Sequence, residues 1–288
     1  IANSFCKIDN IHMKLKLFVL FLMALLSKAD HTDSDFDSLE AAINNDLRTA
    51  AFKERDQYRN PYGTLKFFGL KDNQVVVELS PGGGWYTEIL APYLKKKGEL
   101  IAAHYNPETS AYYARSRTAF DKKIASNNMF SEVRVVELDK SYGVENSADL
   151  VVTFRNLHNW IGQQGDDILS RAYKVLKPGG SLGVVDHRAR PGTSLEAMKK
   201  SGYITEEYAI SVAEKAGFVL VASSEINANS KDTADYQNGV WTLPPSLRLK
   251  EIDKDKYLAI GESDRFTLLF KKPRSEEHTS ELQSPVTI

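Results

Sequence analysis

The sequence predicts an α/β fold, a doubly wound and mostly parallel sheet of seven strands preceded by an N-terminal helical extension. Two observations carry that expectation. Short β-branched runs alternate along the chain with segments of helical periodicity, the pattern of strands joined by helical crossovers. The stretch Gln74 to Thr87, QVVVELSPGGGWYT, ends a buried-type strand in glycines immediately before a helix. Glycines let backbone approach a ligand closely, and a new helix offers free N–H groups and a positive dipole end, so this junction suits a nucleotide.

Taken in order, Phe36, Leu39, Ile43 and Leu47 recur at helical spacing, with Ser34 as N-cap. This leading helix is expected to continue through the charged stretch 53–59 and to stop at Asn60 and Pro61. Leu65, Phe67, Phe68 and Leu70 form an apolar patch placed to cover one side of a pocket. Val75 to Val77 mark the first strand; the helix behind it carries Trp85, Ile89, Leu90, Tyr93 and Leu94 and stops at Gly98. Further strands are read at 100–103, 133–138, 149–154, 182–185, 218–221 and 265–270, with helices at 109–120, 166–175 and from Thr205 to Gly217. KPGG at 177–180 reads as a turn. The polar stretch 227–262 reads either as a substrate lid or as a solvated excursion.

The ends of the 288-residue sequence read differently from its middle. Met13 to Ala29 has Lys14 and Lys16 ahead of a ten-residue apolar run from Leu17 to Leu26, then Ser27, Lys28 and Ala29 as a small-x-small close, the signature of a signal peptide. That run falls short of the roughly 20 residues needed to span a bilayer, so a periplasmic or secreted protein with no stable membrane anchor after cleavage is expected. Residues 1–12 read as translated upstream sequence, 30–273 as one domain, and 274–288 as a non-native tail. RSEEHTSELQS back-translates in a single frame to a sequencing-library adapter. The only cysteine, Cys6, lies before the domain, so neither disulfides nor thiol chemistry are expected. A formal charge of −1 gives no electrostatic reason to expect nucleic acid, and the expected partner is a small-molecule substrate.

A dinucleotide fingerprint would need glycines at 80, 82 and 85, where this chain has Ser80, Gly82 and Trp85, so a nicotinamide oxidoreductase is the weakest reading. Glu78, Gly82 and Gly84 instead resemble the E/DxGxGxG motif of class I S-adenosylmethionine-dependent methyltransferases, with Ser80 where that family usually has its first glycine. ADLVVTFRNLHNW at 148–160, KVLKPGGSLGVVDHRA at 174–189 and DRFTLLFKKP at 264–273 are similar to the same family. The chain most resembles exported, predicted methyltransferases of Gram-negative bacteria. The resemblance implies a Rossmann-like methyltransferase fold and S-adenosyl-L-methionine as cofactor. It further implies cofactor-binding roles for Glu78, Ser80, Gly82, Gly84, Asn106, Asp139 and Asn156, and a ligand-orienting role for Arg155. Where nucleotide folds place an acid after strand two, this chain reads His104, Tyr105, Asn106.

Methyl transfer needs alignment above all, and a base only where the acceptor must lose a proton. The candidates are His158 after strand four and the pair Asp186 and His187 after strand five, all at carboxyl ends of strands. His104, Asp186 and His187 lack the tight spacing of metal ligands, and no metal is expected. The leading expectation is methyl transfer to a small molecule; the alternative is a non-catalytic, methyltransferase-like binding protein of the periplasm.

Overall fold

The computed structural model describes residue 36 and residues 38–274; Ser34, the predicted signal peptide and nearly all of the predicted tail lie outside the described residues. Seven strands, β1 (Val75–Leu79), β2 (Glu99–His104), β3 (Val133–Glu137), β4 (Ala148–Phe154), β5 (Leu176–His187), β6 (Val219–Ser224) and β7 (Arg265–Lys271), form one sheet. Their order is β3-β2-β1-β4-β5-β7-β6, parallel throughout except for β7, which runs antiparallel to both β5 and β6. Strand order reverses between β1 and β4, so crossovers leave in opposite directions and a crevice opens beyond the carboxyl ends of both.

Side chains on both faces of the inner strands β1, β2, β4 and β5 are buried, which is why those sequences read as continuous apolar runs, whereas the edge strands β3 and β6 stay partly exposed. Val77, Leu79, Val151, Leu182 and Val184 pack with Ile168, Leu169 and Ala172 of α7 (Gln163–Val175) and Val212 and Ala213 of α9 (Glu206–Lys215). Ahead of the sheet lie α1 (Leu39–Asn44), α2 (Ala50–Lys53), α3 (Asp56–Arg59) and α4 (Pro61–Phe67), and between strands α5 (Thr87–Leu94), α6 (Ala111–Ala125) and α8 (Leu195–Ser201), with α10 (Lys254–Ile260) before β7. Ser38, Ser110, Ser194 and Thr205 cap α1, α6, α8 and α9 by accepting a backbone N–H three residues on.

The leading segment differs from expectation. It is a broken series of short helices, because Asn45 leaves helical geometry with its Oδ1 turned back to the Leu47 N–H, and Asn60 takes a left-handed φ of 39°. Pro61 then starts α4 at its first position, where its missing N–H costs nothing. Phe68 lies flat on the sheet instead of over the crevice: a Cβ at Gly183 would stand 2.6 Å from its ring. KPGG, expected as a turn, is absorbed into β5 as an irregularity. Leu176 pairs with Ala148 and the next partner of β4 is Ser181, and Gly179, at φ 80°, hands its N–H to Lys272.

The segment 227–262, expected as a lid or an excursion, is pinned at its base. Asn229 donates to the carbonyls of Ile260 and Glu262, and Asp232 accepts from the Tyr203 hydroxyl and the Asp264 N–H.

At the junction of β1 and α5, Glu78 is buried and its Oε2 accepts from Thr87 Oγ1 at 2.6 Å. Burial pushes its carboxyl up to about 7, only partly offset by that hydrogen bond. The folded chain therefore holds a proton that the unfolded chain releases between about pH 4.5 and 7, so this group stabilises the fold in acid and its contribution is lost as pH rises through 7. Relative to the parent, Glu78→Gln should gain on the order of 3 kcal/mol in urea unfolding on going from about pH 4.5 to pH 8. An equal difference at both pH values would contradict the raised carboxyl.

Candidate functional site

β1 delivers the chain into a turn whose backbone is left-handed at Ser80 (φ 53°), Gly82 (φ 59°) and Gly84 (φ 82°). The two glycines do different work. A Cβ at Gly82 would meet nothing within 4 Å, whereas one at Gly84 would press on Phe120 and Lys123 of α6 at 3.3 and 3.1 Å. Gly82 thus borders open space, and Gly84, expected to do the same, is required for packing. Asn156 sits across the reversal point. Its Nδ2 lies within 3.3 Å of the carbonyls of Leu79, Ser80 and Phe154 and of Thr153 Oγ1, so its amide hydrogens hold the exits of β1 and β4 together.

At the place expected to carry an acid, His104 is fully buried under the turn. Its Nε2 is 3.4 Å from the Gly82 carbonyl and its ring is 5.0 Å from Phe120. Burial lowers its pKa, partly offset by the carbonyls of Tyr105 and Gly82. Tyr105 is half-buried against the core, stacked on Tyr113 at 4.2 Å with its hydroxyl accepting from Trp160 Nε1. Beside it Asn106 Nδ2 donates to Asp139 Oδ2 at 3.1 Å, and both line a cleft of about 320 Å³ with Tyr113, Leu138, Ile168 and Arg171. That volume is at the lower end for small-molecule sites, which run to roughly 300–1,000 Å³. An apolar and aromatic wall rimmed by the amides of Asn106 and Gln164 and the exposed carboxylates of Asp139 and Asp167 fits a purine and its sugar.

Further along the same sheet edge, the structure brings His158, Asp186 and His187 together. Asp186 is fully buried and its Oδ1 accepts from His158 Nδ1 at 2.8 Å and from the His187 N–H at 2.7 Å, while Oδ2 accepts from the His158 N–H. Holding the proton on Nδ1 leaves His158 Nε2 as the basic nitrogen. The His187 ring lies 5.0 Å from that of His158, and its Nδ1 is 2.5 Å from Ser263 Oγ. Burial lowers the His187 pKa well below its ordinary value, and His158, Arg155, Arg265 and Arg59 push the same way, so this imidazole stays neutral.

Sequence reasoning missed the ion cluster beside these histidines. Glu262, 3 % exposed, accepts from Arg55 Nε at 2.5 Å, Arg59 Nε at 3.3 Å and Arg265 Nη2 at 2.8 Å. Burial raises its carboxyl, but Arg265, Arg59, Arg155 and Arg55 outweigh that and hold it at about 2. Burial also pulls Arg155 down to about 10, with Glu262 opposing, which leaves the guanidinium charged at neutral pH. The charged run 53–59 was the visible signal; its partner lies some 200 residues away. His158, Asp186 and His187 each offer a possible ligand atom within 4.8 Å of the others. Both Asp186 oxygens already accept N–H groups, and the arginines make the local field positive.

Residues 77–184 match a family described as a methyltransferase domain. A SAM dependent methyltransferase from Aquifex aeolicus shares the fold at 17% identity and a TM-score of 0.52, over 77% of this chain and 97% of that one. Geranyl diphosphate methyltransferase in complex with SAM does so at 12% and 0.53, over 81% and 94%. The cyclase SpnF does so at 16% and 0.54, over 80% and 86%. At such identities the fold alone is shared, and a cyclase among these neighbours shows how little fold says about chemistry. No curated protein matches the chain. The segment 77–184 that matches the methyltransferase-domain model spans β1 to β5 of the sheet, and the whole sheet has the fold of these solved methyltransferases.

Proposed function

We propose that this protein transfers a methyl group from S-adenosylmethionine to a small-molecule acceptor and, on the strength of the segment from Met13 to Ala29, that it works in the periplasm or outside the cell. Among the described residues no helix is long and apolar enough to cross a membrane. The observation that carries the reading is the open space at Gly82 beside the Asn106 and Asp139 cleft, within the segment that matches a methyltransferase domain.

When bound, S-adenosylmethionine supplies a methyl group already activated on a sulfonium. Tyr105, Leu138 and Ile168 would flank its base, Asn106 and Asp139 would meet its polar edges, and the backbone at Gly82 would admit its chain. Positioning of this kind is worth up to about 7–11 kcal/mol in favourable cases. At the acceptor end His158 Nε2 takes the proton that an oxygen or nitrogen acceptor gives up on methylation, and Asp186 stabilises the imidazolium. His187, neutral and tied to Ser263, orients the acceptor without taking the proton.

Asp139 is exposed, so Asp139→Ala should leave the unfolding midpoint unchanged while weakening S-adenosylhomocysteine binding about tenfold or more by calorimetry, the loss of one hydrogen bond to a charged group. Unchanged affinity would remove the cleft from the cofactor site. His158→Ala should leave that affinity intact. It should slow transfer of labelled methyl from S-adenosylmethionine into a small-molecule extract by about 10²–10⁴-fold. A less stable variant with its rate preserved would make His158 structural.

A further inference from the structure

The ion cluster at the acceptor end is unbalanced. Four guanidiniums, those of Arg55, Arg59, Arg155 and Arg265, act on Glu262. The other carboxylate acting on Arg155 is Asp186, whose oxygens are committed to His158 and to the backbone of His158 and His187. Each buried, uncompensated cation costs several kcal/mol, so an excess of this sign is a standing demand for an anion. The unmet donors are specific. Arg59 is 3 % exposed, yet its Nη2 has no hydrogen-bond partner, and Arg55 Nη2 is likewise buried and unpartnered. Among the described residues the Arg155 guanidinium makes no hydrogen bond at all, and it keeps part of its surface open.

Arg155 is also held where a ligand would have to arrive. It follows β4 directly, at a left-handed φ of 61°, with its N–H bonded to Val185 of β5, two residues before His187. Arg265 lies opposite His187 in the β5 and β7 register. The charge of Arg155 acts on both His187 and Arg59, so the three lie near one another at this edge, and a planar or tetrahedral oxyanion is the ligand that a guanidinium fork with excess positive charge around it would take.

We infer that the methyl acceptor is an anionic small molecule, carrying a carboxylate or a phosphate that binds Arg155 and the free donor of Arg59 and so presents its nucleophile to His158. This rests on the methyltransferase reading. An oxyanion there could also be the carboxylate of the cofactor's own methionine, and the test separates the two sources.

The full chain, saturated with S-adenosylhomocysteine, is titrated calorimetrically with inorganic phosphate and, separately, with acetate, and Arg155→Gln is compared with the parent. The inference expects saturable binding of at least one anion on top of bound S-adenosylhomocysteine, weakened about tenfold or more in Arg155→Gln, with S-adenosylhomocysteine affinity kept within about twofold. Arg155→Lys keeps the charge but loses the fork, and should fall between them; it decides the matter if Arg155→Gln does not fold. If the anions bind only without S-adenosylhomocysteine, or Arg155→Gln loses that ligand instead, the cluster serves the cofactor and the inference is overturned. Binding of S-adenosylhomocysteine with neither anion overturns the inference alone. Failure of the parent to bind S-adenosylhomocysteine overturns the methyltransferase reading and the acceptor assignment with it.

Discussion

Between β1 and β4 the chain must send its crossovers in opposite directions, and the crevice this leaves at the carboxyl edge is the constraint on which the site depends. Parallel strands so arranged bury both faces and expose only their ends, so chemistry is confined to the turns that leave them. Every candidate residue except Glu78, which lies within β1, is found at those ends: Ser80 to Gly84 after β1, His104 to Asn106 at the end of β2, Asp139 after β3, Arg155 to His158 after β4, and Asp186 and His187 at the end of β5. Asn156 holds the reversal closed at its base by tying the exits of β1 and β4 with one amide.

What encloses that edge comes from far away in the sequence. Helices α2 to α4 bring Arg55 and Arg59, the segment before β7 brings Glu262 and Ser263, and β7 itself brings Arg265. Thr49 joins the leading helices to α5 by giving its N–H and its hydroxyl to the buried Glu88. Arg59 also lies over the Trp85 ring, 4.6 Å from its centroid, at the entrance to the same helix. Buried ion pairs of this kind add little net stability, and their partners are costly to lose.

Most of the fold was legible because β-branched runs and glycine stops report strand positions directly. The histidines and Asp186 were legible as a group because strand order places the ends of β4 and β5 side by side. The leading helix was misread because two asparagines, Asn45 and Asn60, break it through side-chain and backbone geometry that apolar periodicity does not register. KPGG was misread because the same residues that make a turn also make an irregularity inside a strand. Gly82 and Gly84 look alike in sequence, and only the direction of the missing Cβ separates open space from a packed helix. The arginine cluster showed only as the charged run 53–59, because nothing local to those residues announces a carboxylate at 262.

The crevice between β1, β2 and β4 is, on our proposal, an S-adenosylmethionine site. A crystal structure with S-adenosylhomocysteine tests it most directly. Density is expected with the adenine end beside Tyr105, Leu138 and Asp139 and the amino-acid end against the backbone at Gly82, leaving the edge at His158 open to an acceptor. Density at any other edge of the sheet, or none at saturating ligand, would contradict it.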